Sequence, residues 1–289
     1  MGATFSSCVN DGDGGDASTR PRLGDIPESC VALVLMYMDP PDICKLARLN
    51  RAFRGASLAD FIWESKLPLN YKFIVEKALE DTTCVEELGK RDVYARLCRP
   101  NLFDNGTKEI WLDKRTGGVC LAISSKALRI TGIDDRRYWT YISTEESRFH
   151  TVAYLKQIWW LEVEGELEFQ FPPGTYSLYF RLQLGRSSKR LGRRVCNTEH
   201  IHGWDMKPVK FRITTSNGEH ALSHSHLDNP GHWVLYHAGN FDSRSHNDLM
   251  KIRFSLTQID CTHIKGGLCV DTVFICNSDV EKGVDCFCR

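Results

Sequence analysis

The spacing of apolar residues changes once along the chain, near residue 100. Before that point apolar side chains recur every three or four residues, as in Ile43, Leu46 and Ala47, which indicates amphipathic helices. After it, short runs alternate apolar and polar residues and are separated by Gly, Pro, Asn or Asp, which is typical of strands. The pattern predicts an α+β multidomain chain, with a small helical unit ahead of a larger β-domain.

The helical unit is predicted to begin with three short helices. Pro27 stands at the start of a helix over 28–38, where the N–H group that proline lacks would have no hydrogen-bond partner in the helix. Asp39 is placed to cap a second helix that opens with two prolines. A third helix follows to about residue 56, and further amphipathic helix extends to about residue 98, where Pro100 stops it.

Nine strand-like runs follow over about 175 residues without intervening helices. In chain order they are EIWLDK, GGVCLAIS, LRITGI, WWLEVEGELEFQF, GTYSLYFRLQL, VKFRITTS, HWVLYHAGNF, LMKIRFSLTQI and LCVDTVFICN. Short strands with turn residues between them predict an antiparallel β-sandwich of jelly-roll type. We therefore expect a disordered tail over 1–21, a helical unit over 22–68, a helical linker over 69–100, a β-sandwich over 101–278 and a flexible tail over 279–289.

Composition narrows the classes of function. The 289 residues carry 37 basic and 37 acidic side chains, so no excess positive charge predicts nucleic-acid or membrane-surface binding. Twelve cysteines are scattered along a chain much larger than disulfide-stapled scaffolds, which favours a reducing compartment. We expect the protein in the nucleus and cytoplasm.

The N-terminus carries one feature that points to a membrane. MGATFS fits the myristoylation pattern, with Gly2 as the acceptor, and Cys8 is available for a second acyl chain. The longest apolar run, from Cys30 to Met38, has nine residues and is too short to span a bilayer, which takes about 20. Membrane association through Gly2 is therefore the less favoured alternative.

The helical unit is too small to bury all its apolar residues, and leftover apolar surface marks an interface. Its spacing resembles an F-box: Ile26 and Pro27 precede the first helix, DPPDICKLARLNRAFR covers the second and third, and DFIW follows. The resemblance implies docking on the Skp-type adaptor of a cullin-based ubiquitin ligase. The implied adaptor-binding residues are Ile26, Pro27, Leu35, Pro41, Ile43, Leu46, Leu49, Phe53 and Trp63. The alternative is that these helices form the N-terminal cap of one large domain.

The β-domain resembles the plant phloem-lectin, or Nictaba-like, domain, and the whole chain is similar to the F-box proteins of that class. The resemblance rests on LDKRTGGVC, DDRRYWTYI, IWWLEVEG and GHWVLYHAGNF. It implies a lectin-like sandwich that binds N-acetylglucosamine or mannose glycans. The family's sugar site uses two tryptophans and a late carboxylate. Trp139 matches one tryptophan, Gly132 stands at the other, and Asn240 stands near the carboxylate position.

Other candidate chemistry is weaker. The histidines between His200 and His237 fit no closed zinc pattern, and we predict no metal or other cofactor. We expect Trp159, Trp160 and Trp233 in the core. The basic run GRSSKRLGRR fits an exposed hairpin tip, a phosphate contact or a contact with a localisation receptor. Cys286 and Cys288 form a C-x-C pair that suits metal binding, redox chemistry or an idle tail. No nucleophile triad, phosphate loop or HExxH is present, so we expect a protein that is not an enzyme.

Two functions remain. The first is a substrate-recognition subunit of a Skp-cullin-F-box (SCF) ubiquitin ligase, whose sandwich presents a target protein or glycoprotein. The second is a stand-alone carbohydrate-binding lectin without a ligase role. The sequence does not identify the target.

Overall fold

A computed structural model describes residues 26–78, 88–190, 193–245 and 247–280, without the side chains of 187–190, 193–195 and 279. Gly2, Cys8, Cys286 and Cys288 lie outside the described residues. The predicted 1–21 tail and nearly all of the 279–289 tail also lie outside them.

Six helices occupy the described part of the N-terminal region. They are α1 (Glu28–Leu35), α2 (Pro40–Leu46), α3 (Arg51–Ala56), α4 (Asp60–Glu64), α5 (Tyr71–Ala78) and α6 (Lys90–Leu97). The Asn50 side chain caps α3 by accepting the Phe53 N–H at 2.9 Å. Asp39 precedes α2 as predicted but makes no side-chain capping bond, because its carboxylate pairs with Arg115 at 3.0 Å.

Fifteen strands build the β-domain within the described residues. They are β1 (Asn101–Phe103), β2 (Lys108–Leu112), β3 (Val119–Ser124), β4 (Arg129–Ile130), β5 (Trp139–Ser143), β6 (Thr151–Leu155), β7 (Leu161–Phe169), β8 (Gly174–Leu184), β9 (Arg186–Arg190), β10 (Arg193–Asn197), β11 (Val209–Thr215), β12 (His220–Ser225), β13 (Trp233–Ser243), β14 (Met250–Gln258) and β15 (Leu268–Asn277).

The strands form two main antiparallel sheets and one hairpin. The five-stranded sheet has the order β12-β11-β14-β7-β4, and β9 pairs with β10 separately. The eight-stranded sheet is organised around β15. One edge of β15 pairs with β3 and β6, and the other edge pairs with β8, which in turn pairs with β13. Nine of the ten β15 residues are buried, which explains its nearly continuous apolar sequence.

The main core lies between the two sheets, which confirms the predicted β-sandwich. The ring of Phe180 from the larger sheet lies 5.4 Å from Phe211 and 6.0 Å from Phe254 of the smaller one, centroid to centroid. Gly165 faces the same core, and a side chain there would overlap the Phe254 ring. Alternation along β7 and β14 places apolar residues inward and charged residues outward.

The helices share this core. The Phe73 ring of α5 meets Phe169 edge to face at 5.1 Å, and the Tyr94 hydroxyl of α6 donates to the Asp113 carbonyl at 3.3 Å. The Asn70 amide also donates to the Gln170 carbonyl. One apolar cluster consequently runs from α1 to β15.

The outer face of the eight-stranded sheet is covered by the loop between β5 and β6. Buried Asp271 is paired with Arg181, whose guanidinium also donates to the Glu146 carbonyl at 2.9 Å. The same guanidinium lies 4.5 Å from the Trp233 ring, and the Trp233 indole N–H donates to the Glu146 carboxylate at 2.7 Å. These contacts fix the loop to the sheet. Trp233, which was predicted to lie in the core, is half-buried on this outer face instead.

Candidate functional site

Helix α1 has apolar residues on two opposite faces. Val31, Ala32 and Leu35 point into the core and are nearly or fully buried. Leu33 and Val34 lie on the other face and keep 56% and 60% of their surface exposed, and Tyr37 just beyond the helix is 84% exposed. Exposed apolar residues at helical spacing form a stripe that a second protein can cover. We call Ile26, Leu33, Val34 and Tyr37 the α1 outer face.

The predicted adaptor-binding residues divide between surface and core. Ile26, Pro27 and Leu49 are exposed, and Pro41 and Leu46 are half-buried. The remaining four are buried, and these are Leu35, Ile43, Phe53 and Trp63. In this conformation the buried residues have no surface to offer a partner, so their role is to hold the helices together.

Trp63 illustrates this packing role. Its indole N–H donates to the Ser57 carbonyl at 2.7 Å, and its ring lies 5.5 Å from the Tyr94 ring of α6. Lys66 in the following turn donates to the Met36 carbonyl at 2.8 Å, which ties the end of α1 to α4. The helical unit is thus a pre-formed platform beneath the α1 outer face.

Sequence reasoning missed Leu33, Val34 and Tyr37 as surface residues. The available signal was that α1 (ESCVALVL) is apolar around nearly its whole circumference. A helix that is apolar all round is normally buried on all sides, by its own protein or by a partner. The core covers one side, so the other side is left for a partner.

The predicted glycan-binding tryptophan is not at the surface. Trp139 is 1% exposed, and its indole N–H donates to the Thr131 carbonyl at 3.1 Å. A buried ring cannot stack on a sugar, so in this conformation Trp139 acts as a core residue. Gly132 lies in the adjacent turn with φ of 78°, a left-handed backbone conformation that suits glycine.

Asn240 is exposed on β13 but far from Trp139. Its side-chain oxygen lies 2.7 Å from the His237 ring nitrogen Nε2. Strand pairing places Asn240 level with Cys276 of β15, whereas Trp139 is level with the opposite end, near Leu268. Eight residues of strand correspond to roughly 25 Å, so the fold does not bring the two predicted sugar residues into one site.

Two other tryptophans are exposed, contrary to the prediction that they lie in the core. Trp159 and Trp160 keep 51% and 44% of their surface exposed. They stand in a bend held by the buried Lys265 ammonium, which donates to the Trp159 carbonyl at 2.7 Å. The Trp160 indole N–H is 3.2 Å from the Glu162 carboxylate. This bend lifts both rings away from the core.

The remaining candidates are not assembled into a site for chemistry. His224 on edge strand β12 and His226 just beyond it are both exposed. Among the residues that the structure describes, no three His, Cys, Asp or Glu side chains are grouped to hold a metal ion. The basic run forms the β9–β10 hairpin. Within the same described ranges, no helix is long and apolar enough to cross a membrane.

Comparison with known proteins extends these observations. F-box protein PP2-A13 of Arabidopsis thaliana is 58% identical over 98% of this chain and 99% of its own length. F-box protein PP2-A12 of the same plant is 57% identical over 93% of this chain and 91% of its own length. A family 35 carbohydrate binding module from Clostridium thermocellum matches at a TM-score of 0.33 and 12% identity, over 54% of this chain and 96% of that module.

The family assignment rests on sequence. The model of the Phloem protein 2 family matches residues 118–277, from just before β3 to the end of β15, which is more than half of the chain. The relatives named as F-box proteins extend the similarity across the helical unit. The chain therefore belongs to the Phloem protein 2 family, in the group whose plant members are named F-box proteins.

Proposed function

We propose that this chain is the substrate-recognition subunit of an SCF-type ubiquitin ligase. The α1 outer face carries this proposal, because Leu33, Val34 and Tyr37 expose apolar surface on a helix whose other side is already packed. The naming of its relatives as F-box proteins supports a Skp-type adaptor, and through it cullin, as the partner that covers this face.

The proposed mechanism is proximity. The chain supplies no catalytic group for ubiquitin transfer and instead holds a target close to the transferase, which raises its effective concentration. A rigid connection between adaptor and target makes this efficient, and the shared core of helices and sandwich supplies one. The Arg115–Asp39 ion pair at 3.0 Å adds a further link between the two parts.

The test is binding of the full chain to a purified Skp-type adaptor. The double variant Ile26→Asp and Pro27→Ala alters two exposed residues ahead of α1 and should lose co-purification with the adaptor. Leu102→Asp is the matched control, because Leu102 is 57% exposed on edge strand β1 of the sandwich. Retained binding in the double variant, or no binding by the unaltered chain, would contradict the proposal.

We further propose that the sandwich holds the target and that the ligase subunit works in the nucleus and cytoplasm. The target is a protein or a glycoprotein, and the glycan alternative is favoured by one observation, the exposure of Trp159 and Trp160. Exposed tryptophan rings are suited to stack on the apolar face of a sugar. A stand-alone lectin would use the same rings without the adaptor.

A glycan array probed with the full chain separates these roles. Binding to N-acetylglucosamine or mannose oligomers that is lost in Trp159→Ala would support a glycan target. Trp139→Ala is unsuitable as the sole test, because removing a buried tryptophan destabilises the fold. A chain that binds glycans and never binds the adaptor would be a lectin alone.

A further inference from the structure

A cavity of about 480 Å³ lies where β6 leaves the larger sheet and β8 passes into the β9–β10 hairpin. Neither the α1 outer face nor Trp159 or Trp160 contributes to its lining. Its lining consists of Arg137, Tyr154, Lys156, Gln157, Arg186, Asn197 and His200. Cavities of this volume are within the range of small-ligand sites.

Tyr154 is the first indication that the cavity is built for a polar ligand. The residue is 94% buried, and its hydroxyl makes no hydrogen bond within the described part of the chain. Six buried side-chain oxygen atoms of the described residues lack a hydrogen-bond partner, and the Tyr154 hydroxyl is not one of them. Since this hydroxyl has no partner either, it must keep some contact with solvent. A phenol in such a place normally has a partner, so the open side of the cavity is where a ligand would supply one.

The charged groups around the cavity add up to a positive surface. Arg137 is neutralised by a two-pronged contact with Asp135 at 2.7 and 3.0 Å, and Lys156 donates to the Arg136 carbonyl at 2.7 Å. The Arg186 side chain makes no ion pair or hydrogen bond with other described residues. Besides Asp135, the Glu199 carboxylate accepts from the Asn197 amide at 3.4 Å, and His200 completes the lining.

These groups leave two cationic side chains without a carboxylate partner, Lys156 and Arg186, beside the Gln157 amide, which also has no partner among described residues. Burial raises the pKa of Tyr154, so its hydroxyl stays protonated at neutral pH and is able to donate. Cations bind a carboxylate, and an amide and a hydroxyl bind sugar hydroxyls.

We infer that this cavity binds an acidic saccharide, with the carboxylate against Lys156 and Arg186 and the sugar hydroxyls against Gln157 and Tyr154. The volume exceeds what a single inorganic anion fills, and neutral hydrogen-bonding groups stand beside the cationic ones. The inference deepens the proposed function, on which it rests for its biological use, because it names a class of target: a glycan that carries uronic acid.

Calorimetric titration of the full chain tests the inference with three probes: a galacturonic acid trisaccharide, the neutral galactose trisaccharide and inorganic phosphate. The acidic trisaccharide should bind at least about tenfold more tightly than either other probe, since one ion pair with a well-placed cation contributes about 1.4 kcal/mol or more. Arg186→Gln should weaken it about tenfold. Arg253→Gln is the matched control, because Arg253 is an exposed arginine of the other sheet.

Tyr154→Phe separates a ligand-binding role from a structural one. Because the hydroxyl has no partner in the described protein, its removal should weaken the acidic trisaccharide severalfold without lowering the unfolding temperature. An unfolding temperature reduced by several degrees, with unchanged binding, would overturn this role for Tyr154.

Three other results would overturn the inference. The neutral trisaccharide binding equally well would exclude charge recognition, phosphate binding equally well would indicate a simple anion site, and equal loss in Arg253→Gln would indicate nonspecific attraction. Adaptor binding is measured on the same samples. If the chain binds the adaptor but no acidic saccharide, only the inference about the cavity is disproved. If it binds the acidic saccharide but no adaptor, only the proposed ligase role is disproved.

Discussion

Replacing Leu33 and Val34 by glutamine should abolish most adaptor binding while leaving the fold intact. Both side chains are on the α1 outer face, opposite the buried Val31 and Leu35. Glutamine suits a helix about as well as leucine and better than valine, so the helix itself should not be weakened. The change removes apolar surface from the interface and nothing from the core.

The size of the effect follows from the exposed fractions. Burying a whole leucine or valine side chain contributes about 1.5–3 kcal/mol. Since 56% of Leu33 and 60% of Val34 remain to be covered by a partner, each contributes about 1–1.7 kcal/mol to binding. The pair therefore contributes about 2–3.4 kcal/mol, so its loss should raise the dissociation constant about 30- to 300-fold.

The assay is calorimetric titration of the full chain with purified Skp-type adaptor, combined with thermal unfolding followed by circular dichroism. Substituting Leu222 and Leu249 by glutamine gives the matched control, since these residues are 58% and 55% exposed on the sandwich. Unfolding should change little in both double variants, because exposed substitutions alter stability by about 0.5 kcal/mol or less. Adaptor affinity unchanged in the Leu33 and Val34 variant would refute the reasoning.

Three further predictions concern other parts of the chain. Arg181→Met leaves the buried Asp271 carboxylate without its ion-pair partner and should lower the free energy of unfolding by about 3–5 kcal/mol in chemical denaturation. Adding Asp271→Leu should restore much of this loss. Equal stability of the single and the double variant would contradict the prediction. Trp139→Ala removes a buried ring and its bond to Thr131 and should cost about 3–5 kcal/mol, so a variant with unchanged stability would show that the ring is not packed as described. Gly2→Ala should leave most of the protein in the soluble fraction, as in the unaltered chain, because one acyl chain binds membranes only marginally; firm membrane retention that is lost in Gly2→Ala would make the protein a membrane-anchored receptor.

The alternation of the sequence predicted the long core strands well, and it failed where tertiary pairing alone decides the structure. Edge strand β12 was missed because HALSHS has few apolar residues and owes its conformation to pairing with β11. The LRITGI run was predicted as a full strand, but only Arg129 and Ile130 pair with β7, because the turn at Gly132 follows. Local propensity carries no information about such neighbours.

The sequence predicted that the helical unit has an exposed apolar surface, but it did not identify all the residues that form this surface. The surplus of apolar residues around Ile26 correctly indicated that the helical unit leaves apolar surface uncovered, but which residues face outward depends on packing against α3 and α4. The positions of Trp139 and Trp159 were reversed between core and surface. The Trp159 carbonyl is held by the ammonium of Lys265, a residue distant in the chain, and no local pattern reveals that contact. The Trp139 indole is held instead by the Thr131 carbonyl.

The central position of β15 has a consequence for how the protein folds during synthesis. β15 is the last strand in chain order among the described residues, yet β3, β6 and β8 all pair with it. Until residues 268–277 leave the ribosome, those three strands have unpaired edges, which are prone to join other chains. Pairing across more than 100 residues also makes closure slow, so a ribosome that stalls before Leu268 would release a chain in need of chaperones.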